Sequence, residues 1–282
     1  MLDRIIEVFL LGSFYCSISI GLNFIFGITK IINFAHGEIL MIGAMIAYYL
    51  STCGMNPFLT IPISMLLTFA LGSITYKTAF EKISQNEMST LISSMGLSYT
   101  LMTIVRILLG AGYKIISLPL PSISFFGYYV SLTRLMIAII ALATVIITHF
   151  FLKKSLLGLK IRAVAQSTLG ATLVGIDVNK IRLLSFAIGF SLTGIGGVLM
   201  GLLFAIHPYM GGFTCTLAFL IVIFGGLGSF LGTIIGSFVF AFIQQLTILI
   251  LNPGYTYAVA FICLAAVLIL RKEGILGGKF AL

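Results

Sequence analysis

Three polar side chains stand close together at the start of an apolar run, and they are the best candidates for direct chemistry in this chain. Asn33, His36 and Glu38 follow Ile32 and precede a long stretch of apolar residues. Ionisable groups inside a membrane are expensive and usually face a cavity or a partner. The trio therefore predicts a pathway or gating role. The alternative is a helix start, in which Asn33 caps the helix and Glu38 interacts with Lys30 or the helix dipole.

Two other polar groups interrupt apolar runs. Asn23 lies inside the first run and is predicted to hydrogen-bond across helices or to line a pathway. Gln244 and its neighbour Gln245 lie in a late run, where at least one of them must face other helices. No Ser/His/Asp set, Cys/His pair or paired carboxylates accompany them, so no catalytic site is predicted. The cysteines have no metal-site spacing, and one His with one Glu does not make a metal site.

A basic segment over residues 153–182 contrasts with the apolar sequence around it. Positive charge between spans marks the cytoplasmic side, and about thirty residues exceed what a helix–helix connection needs. Its interior predicts a short helix over 161–175, with Gly175 suited to the C-terminal stop. The segment also contains Arg162, Gln166 and Asp177. Asp177 is close enough in sequence to Arg182 to form an ion pair with it. One apolar face collects Ile161, Val164, Ala165, Leu169, Thr172 and Leu173.

That apolar face has two possible occupants on sequence grounds alone. An amphipathic helix parallel to the membrane buries its face either among lipid headgroups or in the groove of a partner protein. The basic segment is therefore interpreted as a surface for a partner in the cytoplasm, with a simple interfacial anchor as the alternative.

Composition places the whole chain in the membrane. Of its 282 residues, 60% are hydrophobic and 8% are charged, whereas about 25% of a soluble domain is charged. The net charge of +9 comes from residues between apolar runs. It reflects topology, and no clustered basic face for nucleic acid is predicted. The class is an all-α polytopic helical bundle, one transmembrane domain over residues 1–282, with the lipid bilayer as its solvent.

The apolar runs predict eight or nine spanning or re-entrant segments. The run over 214–251 would be about 55 Å long as one helix, beyond a bilayer of about 30 Å. Its central glycines predict a helical hairpin instead. Whether 32–52 and 214–226 cross fully is left open, as is the side of the N-terminus. The predicted segments are 6–28, 32–52, 58–76, 90–110, 132–152, 183–206, 214–226, 230–251 and 256–270.

Glycines concentrate in the later spans. Small residues allow helices to approach closely, so these positions predict tight helix packing. Sliding of helices or exposure of backbone carbonyls to a substrate is compatible with the same pattern. The positions are Gly194, Gly197, Gly201, Gly225, Gly226, Gly228, Gly232 and Gly236.

The C-terminal tail bears on both the orientation of the chain and whether it can bind ATP. The tail with Arg271, Lys272 and Lys279 is predicted to lie on the same side as the basic segment. Gly278-Lys279 comes nearest to a P-loop, but Glu273 stands where glycine is required and Phe280 replaces the Ser or Thr. The chain is therefore expected to lack an ATPase site and to need no cofactor.

Four motifs, in order, resemble one family, the permeases of branched-chain amino-acid ABC importers of the LivH type. The resemblance covers nearly the whole chain. The motifs are Gly21-Leu-Asn-Phe-Ile-Phe-Gly27 with Ile32-Asn-Phe-Ala-His-Gly-Glu38, then Gly158…Arg162-Ala163…Gln166…Ala171…Gly175-Ile176-Asp177, then Phe186-Ala187…Gly194…Gly196-Gly197, and the hairpin Gly225-Gly-Leu-Gly-Ser229…Gly232…Gly236.

The resemblance implies partners and a mechanism. Such a permease works with two ATPase subunits, a second related permease, identical or not, and an extracytoplasmic solute-binding protein in a bacterial-type plasma membrane. Residues 153–182 would then be the coupling segment that docks on an ATPase. Related permeases carry urea or short amides, so the substrate stays open. The rival from another class is an ion-coupled secondary transporter, which would need ionisable relays within its spans.

Overall fold

The structure is a computed structural model that describes residues 2–84, 86–118, 120–125 and 128–276. The last tail residues, including Gly278, Lys279 and Phe280, lie outside the described residues. The first half contains five helices and a hairpin of strands. They are α1 (Leu2–Thr29), α2 (His36–Thr52), α3 (Thr60–Thr75, continued by a π-helical turn Tyr76–Phe80), α4 (Glu87–Leu109), β1 (Ser122–Phe125), β2 (Tyr128–Ser131) and α5 (Leu132–Lys154).

The second half contains six helices. Two of them are short and lie within the basic segment. They are α6 (Leu156–Gln166), α7 (Thr168–Leu173), α8 (Val178–Gly201), α9 (Met210–Gly225), α10 (Phe230–Ile250) and α11 (Thr256–Leu270).

The all-α membrane fold is confirmed. Among the described residues, seven helices are long and apolar enough to cross a membrane, and α9 is a shorter apolar helix. The predicted hairpin over 214–251 is present as α9 and α10, separated at Gly226, whose φ of 111° suits a glycine. Side-chain caps start several helices where the chain turns. Oxygens of Asn86, Ser155, Ser167, Asp177 and Ser229 each accept a hydrogen bond from an N–H in the following helix.

Contacts between helix ends define two ends of the bundle. Glu7 pairs with Arg134 at 2.8 Å, so α1 and α5 begin at the same end. The basic segment follows α5 and packs against the far part of α1, at what we call the basic end. Ile275 donates its N–H to the Phe224 carbonyl at 3.0 Å, which holds the tail against the last turn of α9 there. The N-terminus therefore lies opposite the basic end, a point that the sequence left open.

Glycines bring α8 close to its neighbours, and α8 is the most buried of the seven long helices. A Cβ on Gly197 would overlap the Leu40 carbonyl of α2, and one on Gly194 would overlap Thr68 of α3. Gly201 packs beside Ala44 of α2. In the hairpin, Gly225 faces Gly232, and Gly236 faces Ile221. The two remaining predicted packing positions, Gly226 and Gly228, lie in the loop between α9 and α10, where both have positive φ.

Two predicted elements were wrong in their boundaries. The span over 32–52 begins only at His36, because residues 30–35 form a non-helical loop. Asn33 is therefore not on the helix and not its N-cap, which is Ala35. The single helix over 161–175 is divided at Ser167, whose hydroxyl accepts from the Gly170 N–H at 3.0 Å and starts α7.

The predicted apolar face of that helix is divided as well. Ile161 and Val164 are buried, Ala165 is partly buried, and Ala171 is buried from α7. Leu169 and Leu173 are 74% and 79% exposed. Because of the break at Ser167, the expected apolar stripe is divided in two. Ile161 and Val164 pack against the bundle, whereas Leu169 and Leu173 are exposed.

Replacement of Gly197 by alanine should lower the thermal unfolding midpoint of the purified protein. Its Cβ would overlap backbone of α2, and such overpacking typically costs about 1–3 kcal/mol. Gly96→Ala in the exposed face of α4 is the matched control, since nothing lies within 4 Å of its added Cβ. Equal midpoints for the two variants in detergent or nanodiscs would contradict the close α2–α8 packing.

Candidate functional site

The loop over residues 30–35 is irregular backbone that lies deep in the bundle. It leaves the end of α1 at Thr29 and turns back, so that His36 begins α2 beside Ile18, about halfway along α1. The His36 Nε2 lies 2.7 Å from the Ile18 carbonyl oxygen. Non-helical backbone is tolerated at membrane depth only where protein or water satisfies its polar groups. The hydrogen bonds of this loop therefore determine whether its irregular backbone is stable inside the bundle.

Side chains from three other helices supply those bonds. The Ser94 hydroxyl of α4 accepts from the Phe34 N–H at 3.2 Å. Its one proton is shared between the Leu91 carbonyl of α4 at 2.8 Å and the Ile32 carbonyl of the loop at 3.2 Å. The Cys215 thiol of α9 donates to the Phe34 carbonyl at 3.2 Å. The Thr29 hydroxyl of α1 accepts from the Ile31 N–H at 3.2 Å. The loop is thus held by α1, α4 and α9 together.

The predicted polar trio is brought together at this loop, although each member has a different role. The Asn33 side chain accepts from the Ala35 N–H at 3.1 Å and stabilises the turn into α2. His36 bridges two helices, because its Nδ1 lies 3.3 Å from the Thr193 hydroxyl of α8. Glu38 is only 2% exposed and stands in the first turn of α2.

Glu38 does not contact Lys30, as one alternative supposed. The Lys30 ammonium lies over the Phe26 ring, 5.5 Å from its centroid. The Glu38 carboxylate instead lies against Gly211, in the first turn of α9. A Cβ built on Gly211 would be 2.6 Å from Glu38 Oε1. The second carboxylate oxygen, Oε2, has no hydrogen-bond partner among the described residues.

A cavity of about 510 Å3 adjoins this cluster and opens to the surface of the bundle. It separates α4 from α9, and the loop over 30–35 forms its inner wall. Its lining is mostly apolar, with a few polar groups. Representative lining residues are Ile32, Phe34, Ser98, Gly212, Cys215 and Phe219. An aliphatic small molecule fits such a space, because ligand sites are typically apolar and about 300–1,000 Å3.

Asn23 joins α1 to the loop between α9 and α10. Its Nδ2 donates to the Ser229 carbonyl and its Oδ1 accepts from the Gly228 N–H, both at 2.7 Å. A side-chain amide offers an NH2 donor and a carbonyl acceptor side by side. Asn23 therefore acts as a two-point clamp on the glycine loop and does not line the cavity.

The glutamine pair lies near the end of the bundle opposite the basic end. Gln244 bonds to the Tyr15 hydroxyl of α1. Gln245 accepts from the Arg4 guanidinium at 3.0 Å. Both glutamines thus connect α10 to α1. Gln244 also lines a smaller cavity of about 260 Å3 between α1 and α5.

The basic segment is positioned by α5 and α8. The Ser155 hydroxyl caps α6, and a Cβ on Gly158 would lie 2.5 Å from the Leu152 carbonyl, so α6 turns sharply off α5. Gly175 ends α7 with a φ of 79°. Asp177 caps α8 by accepting from the Lys180 N–H at 3.0 Å. No Asp177–Arg182 ion pair occurs in the part of the chain that the structure describes. Arg162 reaches back to the Lys153 carbonyl, and Gln166 ends α6.

Sequence reasoning missed the residues that hold the trio from elsewhere. Ser94, Thr193, Gly211 and Cys215 are far from it in sequence and have no distinctive motif. Ser94 offered one weak signal, as a polar residue inside an apolar span. Among the described residues, no group of three His, Cys, Asp or Glu side chains could hold a metal ion.

Comparison with known proteins identifies relatives along the whole chain. The profile of the family described as branched-chain amino acid transport system permease component matches residues 4–268. The permease protein BraD of Pseudomonas aeruginosa is 31% identical over 98% of this chain and 95% of its own length. LivH of Escherichia coli K12 is 31% identical over 95% of this chain and 92% of its own. A probable LivH of Methanocaldococcus jannaschii is 26% identical over 92% and 87%. No solved structure matches.

Replacement of Asn23 by leucine should destabilise the protein by about 1–3 kcal/mol. The Gly228 N–H and Ser229 carbonyl would lose their partner in a buried site. Asn179→Leu, at an exposed position in the first turn of α8, is the control. The measurement is the thermal unfolding midpoint of each variant in nanodiscs. An Asn23→Leu midpoint equal to that of the control would mean that the clamp does not stabilise the loop.

Proposed function

The chain belongs to the permease component family of branched-chain amino acid transport systems, and we propose that it forms half of an importer's membrane channel for branched-chain amino acids. It is a multi-pass plasma-membrane protein and a permease subunit of an ABC importer. We further propose that the complete importer also contains two ATPase subunits, a second permease and an extracytoplasmic binding protein. The substrate assignment rests on the names of the relatives, LivH and BraD, whose transport systems are described as branched-chain amino acid systems.

One observation supports the coupling role of residues 153–182: the segment is anchored on one face and open on the other. Ile161 and Val164 are packed in a buried cluster with residues of α1, α5 and α8. Leu169, Leu173 and Val174 expose apolar surface. A partner groove that receives those three side chains would gain buried apolar area and would be joined to a rigid base.

The way residues 153–182 are attached to the bundle determines which helices would move if a partner displaced them. Because α6 turns directly off α5 and α7 leads into the capped start of α8, displacement of the segment moves both helices. Helix α8 is packed through glycines against α1, α2 and α3. ATP hydrolysis on the partners would thus change the preferred conformation of the bundle, by differential binding to two states.

The pathway is proposed to run along the cavity between α4 and α9. There the helix starts of α2 and α9 meet, and irregular backbone lines the space, a combination that transporters use at substrate sites. The second permease would close the open side of the cavity. Asn33, His36 and Glu38 would control passage, and the chain itself would hydrolyse no ATP.

The assembly is tested by tagging the chain, purifying it from gently solubilised membranes and identifying its partners by mass spectrometry. Copurified ATPase subunits, with leucine uptake into proteoliposomes that requires ATP and the binding protein, are expected. Uptake of urea or a short amide in place of leucine would reassign the substrate. A chain that purifies alone and drives uptake without ATP would contradict the proposed function.

The docking surface is tested by Leu173→Asp. This side chain is 79% exposed, so the change should spare folding but remove ATPase copurification and lower uptake at least tenfold, since interface anchors contribute about 2 kcal/mol or more. Ile115→Asp is the control for copurification. It places the same charge on an exposed apolar residue in the loop after α4, opposite the basic end. Retained ATPase binding by Leu173→Asp would exclude this surface as the docking site.

A further inference from the structure

The Glu38 carboxyl group lies inside the bundle. It is buried, and no ion pair involves it among the described residues. Two basic side chains of neighbouring elements have other partners: Lys30 lies over the Phe26 ring, and Arg106 is bonded to Tyr209 at 3.3 Å. Burying a carboxylate in a membrane protein is costly unless a partner offsets it. Either protonation or a positively charged group nearby must offset that cost.

Two helix starts give part of that compensation. Glu38 lies in the first turn of α2, and its Oε1 lies against Gly211 in the first turn of α9. The amino ends of both helices carry partial positive charge, so they favour an ionised carboxylate there. The second oxygen, Oε2, is buried and has no hydrogen-bond partner among the described residues.

The wall between Glu38 and the cavity is thin. Gly211 contacts the carboxylate, and the next residue, Gly212, lines the cavity. Neither glycine has a side chain, so at these two positions only backbone stands between the acid and the space between α4 and α9. A displacement of the first turn of α9 would open the carboxylate to a molecule in the cavity.

The cavity and the carboxylate suit different parts of one molecule. Ile32, Phe34 and Phe219 provide apolar walls for an aliphatic chain. A primary ammonium group is compact, carries one positive charge and offers three donors, which is what an unpartnered carboxylate oxygen lacks. A zwitterionic α-amino acid with an aliphatic side chain carries both parts.

We propose that Glu38 binds the ammonium group of the amino acid in transit, at the junction of α2, α9 and the loop over 30–35. The inference rests on the proposed function, since it assigns one group of the proposed substrate to one side chain. Glu38 then selects molecules with an amino group inside the membrane, in addition to any selection by a binding protein.

The test compares two ligands that differ only in that group. The complex of permease and ATPases is placed in nanodiscs without the binding protein, which would itself bind leucine. Thermal unfolding is followed over a concentration series of L-leucine or of isocaproate, which is leucine without its amino group. Each series is run without nucleotide and with a non-hydrolysable ATP analogue, so that both conformations are sampled. A ligand that binds only the folded state raises the midpoint in proportion to its affinity.

L-Leucine is expected to raise the midpoint of the wild-type complex in at least one of these states, and isocaproate to raise it much less. Glu38→Gln should weaken leucine binding about tenfold or more, the effect of losing a charge-assisted hydrogen bond, and leave isocaproate unchanged. Glu87→Gln is the matched control, because it makes the same change at an exposed carboxylate in the first turn of α4. It should behave as wild type.

Several results would overturn the proposal. They are equal stabilisation of the wild type by leucine and isocaproate, no stabilisation by leucine in either state, or unchanged leucine binding by Glu38→Gln. The comparison of ligands on the wild type needs no variant, so it decides the matter even if Glu38→Gln fails to assemble. Because the preparation already contains the ATPases, such a result leaves the importer assignment intact and removes only the role of Glu38.

Discussion

A backbone that leaves the helical state inside a bilayer must find every hydrogen bond within the protein, and this constraint organises the molecule. The loop over residues 30–35 meets part of this demand with Ser94, Cys215 and Thr29, which belong to three different helices. The loop between α9 and α10 satisfies it with the Asn23 amide. Each interruption therefore ties distant helices together. The same interruptions place two helix starts, a buried acid and a cavity at one point.

The bundle has a tightly packed part and a loosely packed part. Glycines let α8 lie against α1, α2 and α3 at backbone distance, whereas α4 and α9 stand apart across the cavity. Close contact of backbones leaves no room for local adjustment, so the α8 group is expected to move as a unit. The α4–α9 side can change its spacing more easily. The coupling segment is attached to the first part, and the substrate is proposed to pass through the second.

Hydropathy was sufficient to predict the long helices, because a span needs a continuous apolar run and little else. The hairpin of α9 and α10 was also predictable, since a helix of that length could not fit the bilayer and its central glycines gave the break. The start of α2 was wrong because Ile32 and Phe34 are apolar whether they lie in a helix or in a buried loop. The break at Ser167 had a signal, a capping serine, that the apolar periodicity concealed. No sequence signal indicated the surroundings of Glu38, because Gly211 contacts it only through its backbone.

The hydrogen bonds of the loop over residues 30–35 also have a consequence for how the protein inserts into the membrane during its synthesis. Ser94 and Cys215 are made long after Phe34 leaves the ribosome. Until α9 is synthesised, the Phe34 carbonyl has no thiol to bond, and water or the insertion machinery must serve in its place. The packing of α2 against α8 and α9 is therefore complete only after α9 has been synthesised. The architecture that makes a pathway thus requires a chain that stays partly unassembled until most of it has been translated.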